Sequence, residues 1–172
     1  MPETKPEKQI AFEFQLELIK KELDILNNCI DKIDTVTQGF KNWTILLWSG
    51  SVILAFGKDA TEFQGKYLLT AIIPFLFWVL DAWWRRIQRE FIFRNNKISD
   101  FFNSPNFAQS FQQNEIIGLR MYDLRGSKSG EKQEYKRFTS LKRAFLFKTV
   151  GVFYLGLILI SCGLYVYMKF LI

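Results

Sequence analysis

Histidine is absent from this chain of 172 residues, and cysteine occurs only twice. Without an imidazole there is no His-assisted serine or cysteine nucleophile, no HExxH zinc site and no histidine-dependent ribonuclease motif. Cys29 and Cys162 fall in unlike segments, which argues against a disulfide framework or a thiolate metal site. Glu115 and Asp123 are eight apart in a polar segment, with nothing beside them to mark an acid and base pair. The glycine-containing stretch GSKSGEK lacks the spacing of a phosphate loop and the Ser or Thr that follows its lysine. No aromatic RNA-reading motif is present, and nothing in the pattern marks a DNA-binding surface. No catalytic residue, metal ligand or cofactor is therefore nominated.

Charge is missing from three stretches, and those absences organise the chain. Trp43 to Phe56 and Tyr67 to Leu80 carry none, with a polar break between them, and Thr149 to Met168 holds 20 uncharged residues in a row. The last run has the length a bilayer core demands of a helix, whereas the first two are short by that measure. Aromatic residues make up 17% of the chain, a high share for a soluble domain. The expected fold is all-α and integral to a membrane, with three transmembrane helices and long cytoplasmic helices continuing from them. The expected segments are a disordered 1–9, a heptad helix over 10–42, a transmembrane hairpin over 43–84, a basic cytoplasmic segment over 85–148 and a final transmembrane helix over 149–172. The polar first residues hold no apolar core, so insertion is expected to rely on the internal segments.

Orientation follows from the basic residues. Between Arg85 and Lys148 there are 14 cations against 6 anions, whereas the 42 residues before Trp43 carry 6 against 8. Cations flanking spans stay in the cytoplasm, which puts the N-terminus and 85–148 inside and the loop near Asp59 to Lys66 outside. Arg85, Arg86, Arg89, Lys142, Arg143 and Lys148 lie next to the spans, where they would meet lipid headgroups or another anion. Arg94, Lys97, Arg120 and Arg125, farther away, are candidates for holding an anionic ligand. Trp43, Trp48, Trp78, Trp83 and Trp84 cluster toward one level, as interfacial aromatics do.

Apolar residues recur at Phe12, Leu16, Ile19, Leu23, Leu26, Ile30 and Ile33 in alternating steps of four and three, a heptad pattern whose phase runs on toward Trp43. This seam can pack on the protein's own second cytoplasmic helix, pair with other copies in a homo-oligomer or lie flat on the membrane. The last is disfavoured because the N-terminal arm is net negative and anionic lipid would repel it. Gly156 and Gly163, with Thr149, form a seven-spaced small-residue stripe on the third span, suited to close helix packing within or between subunits. Pro74 falls inside the second apolar run, where a proline kinks a helix, and is a candidate hinge. Asp81 ends that run four residues before Arg85, on the same helical face; it fits a helix-end ion pair or a gate. No run has a charge near its centre, so charge-coupled transport has no residues to run on. After Trp84 the helix should continue through Ile87, Phe91, Ile98 and Phe101 and stop at Ser104–Pro105, with one or two shorter helices over Asn106 to Leu124.

The leading helix, the tight hairpin KNWTILLWSGSVILAFG to YLLTAIIPFLFWVLDAWWRR and the helix leaving it resemble the small bacterial two-transmembrane effectors of the SLATT type over residues 10 to 103. The chain departs from them by its third run, from Thr149. It is also similar in arrangement to the small membrane accessories of CRISPR loci. The resemblance implies an oligomeric protein of the bacterial inner membrane that perturbs the bilayer or forms a pore in anti-phage defence, with a soluble immune-system partner. The alternative is a membrane anchor or scaffold that recruits a soluble partner through its cytoplasmic helices.

Overall fold

A computed structural model describes residues 6–55, 67–127 and 132–171. All regular structure among the described residues is helical: α1 (Glu7–Ala55), a 3₁₀ turn (Tyr67–Ala71), α2 (Ile72–Phe102), α3 (Pro105–Gln113), α4 (Lys132–Phe138), α5 (Leu141–Phe145) and α6 (Lys148–Leu171). The loop 57–66 expected outside the membrane and residues 128–131 of the expected turn lie outside the described residues, as do 1–5 of the expected disordered start. Helix begins at Glu7, earlier than that expectation.

The heptad stripe and the first apolar run form one helix, as their common phase requires. Hydroxyl groups along it return their protons to the helix's own carbonyls: Thr37 to Asp34, Thr44 to Phe40 and Ser51 to Trp48. That local bonding lets polar residues sit in apolar surroundings. α2 starts later than the apolar run predicts, after the 3₁₀ turn. Pro74 therefore occupies the first turn of α2, where a backbone N–H has no intrahelical partner to lose. The helix then runs unbroken past Asp81 and Arg85 and stops at Ser104, with Pro105 opening α3.

The chain divides into two compact units, residues 1–32 with 87–139 and residues 33–86 with 140–172, so that α1 and α2 each contribute to both. In the first unit Ile19 and Leu26 of α1 pack with Ile98 and Phe101 of α2, flanked by Leu23, Phe91 and Phe107. The stretch expected to be helical from Asn106 to Leu124 is helical only to Gln113. Beyond it the backbone is irregular, with left-handed φ at Asn114, Gly118, Tyr122 and Gly126. At Gly126 a Cβ would also meet the Phe93 ring at 2.9 Å, so this position requires glycine twice over.

In the second unit Trp78 stacks on Phe145 with ring centroids 4.1 Å apart and packs with Val150 and Tyr154 of α6. Its indole N–H donates to the Phe145 carbonyl at 3.1 Å. Farther along α1, Trp48 Nε1 donates to Ser161 Oγ at 2.8 Å, and the Ser161 hydroxyl donates in turn to the Leu157 carbonyl.

Three spanning helices do not emerge. Among the described residues one segment, Lys132–Tyr167, is long and apolar enough to cross a membrane, and its apolar part is α6. The physical reason is length. The charge-free end of α1, Trp43 to Ala55, covers about 20 Å at 1.5 Å per residue, against a hydrocarbon core of about 30 Å. α2 reaches Asp81 nine residues after its start.

Candidate functional site

Two polar clusters stand out, one in each unit. In the second unit the Asp81 side chain is fully buried, and neither of its oxygens makes a hydrogen bond. Arg85 is its counter-ion, with Nε 3.6 Å from Oδ1, one helical turn along α2. The same guanidinium reaches α1, where Nη1 lies 2.6 Å from Asp34 Oδ1. Arg85 thus bridges a buried carboxylate and a half-exposed one. Lys41 and the Tyr154 hydroxyl also face Asp81, and Thr44 lies beside that hydroxyl, which makes no hydrogen bond of its own. A charge taken out of water costs several kcal/mol unless paired. Arg85 supplies that pairing.

In the first unit Glu22 and Arg94 form a buried pair. Arg94 Nε and Nη2 donate to Glu22 Oε1 and Oε2 at 2.8 and 2.9 Å. Glu22 further accepts the backbone N–H groups of Tyr122 and Asp123, and Arg94 Nη2 donates to the Arg120 carbonyl at 2.7 Å. The pair therefore ties α1 and α2 to the irregular segment, which Gln15 also holds by accepting the Ile116 N–H at 3.2 Å. Glu22 is not among the candidate residues of the sequence, and Arg94, a candidate for an anionic ligand, has Glu22 as its partner instead. A signal was present: Glu22 falls between Ile19 and Leu26 on one apolar stripe, and Arg94 falls midway between Ile87 and Phe101 on the other. Two opposite charges on two apolar stripes are suited to each other.

The remaining candidates separate by surroundings. Of the cations proposed for an anionic ligand, Lys97 pairs with Glu134 at 2.9 Å and Arg125 lies 3.7 Å from Glu90. Of those proposed for headgroups, Arg85 is engaged with Asp34 and Asp81, and Arg89 sits over the Phe138 ring at 4.9 Å. Arg86 lies over the Trp83 ring at 5.6 Å. Lys142, Arg143 and Lys148 are exposed and form no ion pair among the described residues. Of the seam, Ile19, Leu26 and Ile33 are buried, whereas Leu16, Leu23 and Ile30 are half-buried. Gly156 and Gly163 have nothing within 4 Å of where a Cβ would stand. Among the described residues no group of three or more acids or cysteines gathers as metal ligands would.

No known protein family, curated protein or solved structure matches the chain.

Proposed function

We propose that this is an integral membrane protein in which the 33–86/140–172 unit lies in the bilayer and the 1–32/87–139 unit lies in the cytoplasm. The observation that carries this reading is the distribution of exposed apolar side chains. Of the 28 large ones among the described residues, all but Ile10, Phe14, Phe111 and Tyr122 belong to the second unit. Only 22% of the most apolar stretch of α6 is buried. In water so much apolar surface would drive aggregation; in lipid it is the required exterior. The second unit meanwhile keeps polar groups inside, at Thr44, Asp81 and Ser161, as a lipid-facing bundle must. α6 crosses the membrane, and the apolar ends of α1 and α2 accompany it as the second and third intramembrane helices. The basic excess after Arg85 faces the cytoplasm. Alkaline carbonate extraction tests the reading: the chain stays with the membrane pellet, and its release to the supernatant would refute it.

Within the membrane the anchoring role is favoured over self-assembly through the leading helix. Ile19 and Leu26, which would have formed the intermolecular seam, are covered by Ile98 and Phe101 of the same chain. The exposed apolar residues of the cytoplasmic unit are few and include Ile10 and Phe14 on α1 and Phe111 on α3, helices joined by the edge contact of Phe12 with Phe111. That surface suits a soluble partner. Changing Phe14→Glu and Phe111→Glu abolishes partner capture on this reading and leaves membrane integration intact.

The oligomeric, pore-forming reading draws support from a different place. Gly156 and Gly163 offer an open, closely approachable stripe on α6. A role in anti-phage defence rests on the resemblance of the sequence arrangement alone. Under this reading Gly156→Leu and Gly163→Leu together convert a multimer in detergent to a monomer; a wild-type chain that is monomeric at every concentration removes it.

A further inference from the structure

The elbow that leads into α6 has a makeup that the membrane reading does not by itself demand. α5 is anchored on one side only: Ala144 is buried and Phe145 is stacked on Trp78. On the other side Lys142 and Arg143 are exposed, followed by Leu146 and Phe147, which are 64% and 50% exposed, and then by exposed Lys148. Cations and apolar side chains thus alternate outward over seven residues. No Asp or Glu occurs between Glu134 and Ile172.

We propose that this elbow is a binding surface for anionic phospholipid, with Leu146 and Phe147 entering the acyl boundary while Lys142, Arg143 and Lys148 hold phosphate headgroups. Charge complementarity selects the occupant. A zwitterionic headgroup offers these cations no net charge, and a soluble acidic protein would leave the two exposed apolar residues without an apolar medium. Lysine and arginine stems are long enough to keep their heads at the phosphate level while their methylenes lie along apolar surface. Arg85 takes no part, since Asp34 and Asp81 engage it, and Arg89 belongs to the other unit. The proposal rests on the membrane reading and specifies the lipid.

The test uses the full-length protein reconstituted in bilayers of phosphatidylcholine with a minority of phosphatidylglycerol, then extracted gently and assayed for retained lipid. Wild type retains phosphatidylglycerol in excess over its bulk fraction, and the excess falls in high salt. Changing Lys142→Gln, Arg143→Gln and Lys148→Gln lowers the enrichment about 5-fold for each cation removed. Replacing Lys148→Arg preserves it, which separates charge from folding. Lys20→Gln with Lys21→Gln, exposed cations of the other unit, leaves it unchanged. Retention at the bulk fraction in wild type, or an equal loss in the Lys20 and Lys21 variant, would overturn the proposal, as would displacement of the lipid by millimolar inorganic phosphate, which would mark a free-anion site. Carbonate extraction of the same samples keeps the two readings apart. A chain that stays in the membrane without lipid preference refutes only the elbow, whereas one released from it refutes the membrane reading itself.

Discussion

Arg94 and Glu22 meet through two parallel hydrogen bonds of 2.8 and 2.9 Å, both side chains closed off from solvent. Removing one member leaves the other charge buried without its partner, which costs about 3–5 kcal/mol. Arg94→Met or Glu22→Gln should therefore unfold the 1–32/87–139 unit at markedly lower temperature. Hydrogen exchange should speed up first at Tyr122 and Asp123, whose N–H groups bond to Glu22. Replacing both charges by Met and Leu should recover most of the loss, because a buried ion pair is often no more stabilising than the apolar residues that fill its space.

The seam makes a contrast within one helix. Ile19→Ala and Leu26→Ala remove fully buried side chains and should each cost about 2–5 kcal/mol. Phe14→Ala, at an exposed position of the same helix, should change stability by less than about 0.5 kcal/mol. Denaturant titration in mild detergent, following the far-ultraviolet helix signal, distinguishes them. Equal effects at the three positions would contradict the packing of α1 on α2.

Two glycines should respond in opposite directions. Gly126→Ala puts a Cβ on a residue with φ of +66° and drives it to 2.9 Å from the Phe93 ring, so it should destabilise by more than about 1 kcal/mol. Gly39 lies within α1 with nothing near its missing Cβ, and Gly39→Ala should stabilise by about 0.5–1 kcal/mol. Thermal melts of the two variants check both signs.

In the apolar unit, Trp48 and Ser161 should couple. Interhelical hydrogen bonds within membranes contribute about 0.6 kcal/mol on average and up to about 1.7. A double-mutant cycle of Trp48→Phe and Ser161→Ala should return a coupling in that range, and a coupling of zero would show that the bond holds nothing.

Much of the fold was legible because it is written in period and length. The steps of four and three from Phe12 onward continue in phase past Gly39, and α1 duly runs from Glu7 to Ala55 without a break. Ser104–Pro105 ended α2 where a proline forbids the preceding residue a helical backbone. Ile19 and Leu26 of the seam pack on Ile98 and Phe101 of α2 in the same chain, one of the arrangements its pattern allows. What could not be read locally was decided by distant groups. Asn114 to Leu124 belong to the stretch expected to be helical, yet the backbone N–H groups of Ile116, Tyr122 and Asp123 go to Gln15 and Glu22, about a hundred positions earlier. Pro74 looked like a mid-helix kink because the apolar run begins before α2 does. The two runs that are short by bilayer length are the ones that do not qualify: the ends of α1 and α2 are apolar outside without being long enough to span alone. For the candidate site, Asp81 and Arg85 were visible as a one-turn pair, whereas Asp34, Lys41 and Tyr154 join them only through the packing of three helices.

On this reading the exterior of the 33–86/140–172 unit is lipid. Spin labels at Leu54 and Leu159, 73% and 67% exposed, test it directly in protein reconstituted in bilayers, with Lys21 of the other unit as reference. Labels at Leu54 and Leu159 should collide with dissolved oxygen but not with an aqueous nickel chelate, and a label at Lys21 should do the reverse. Free access of the nickel chelate to Leu159 would contradict it.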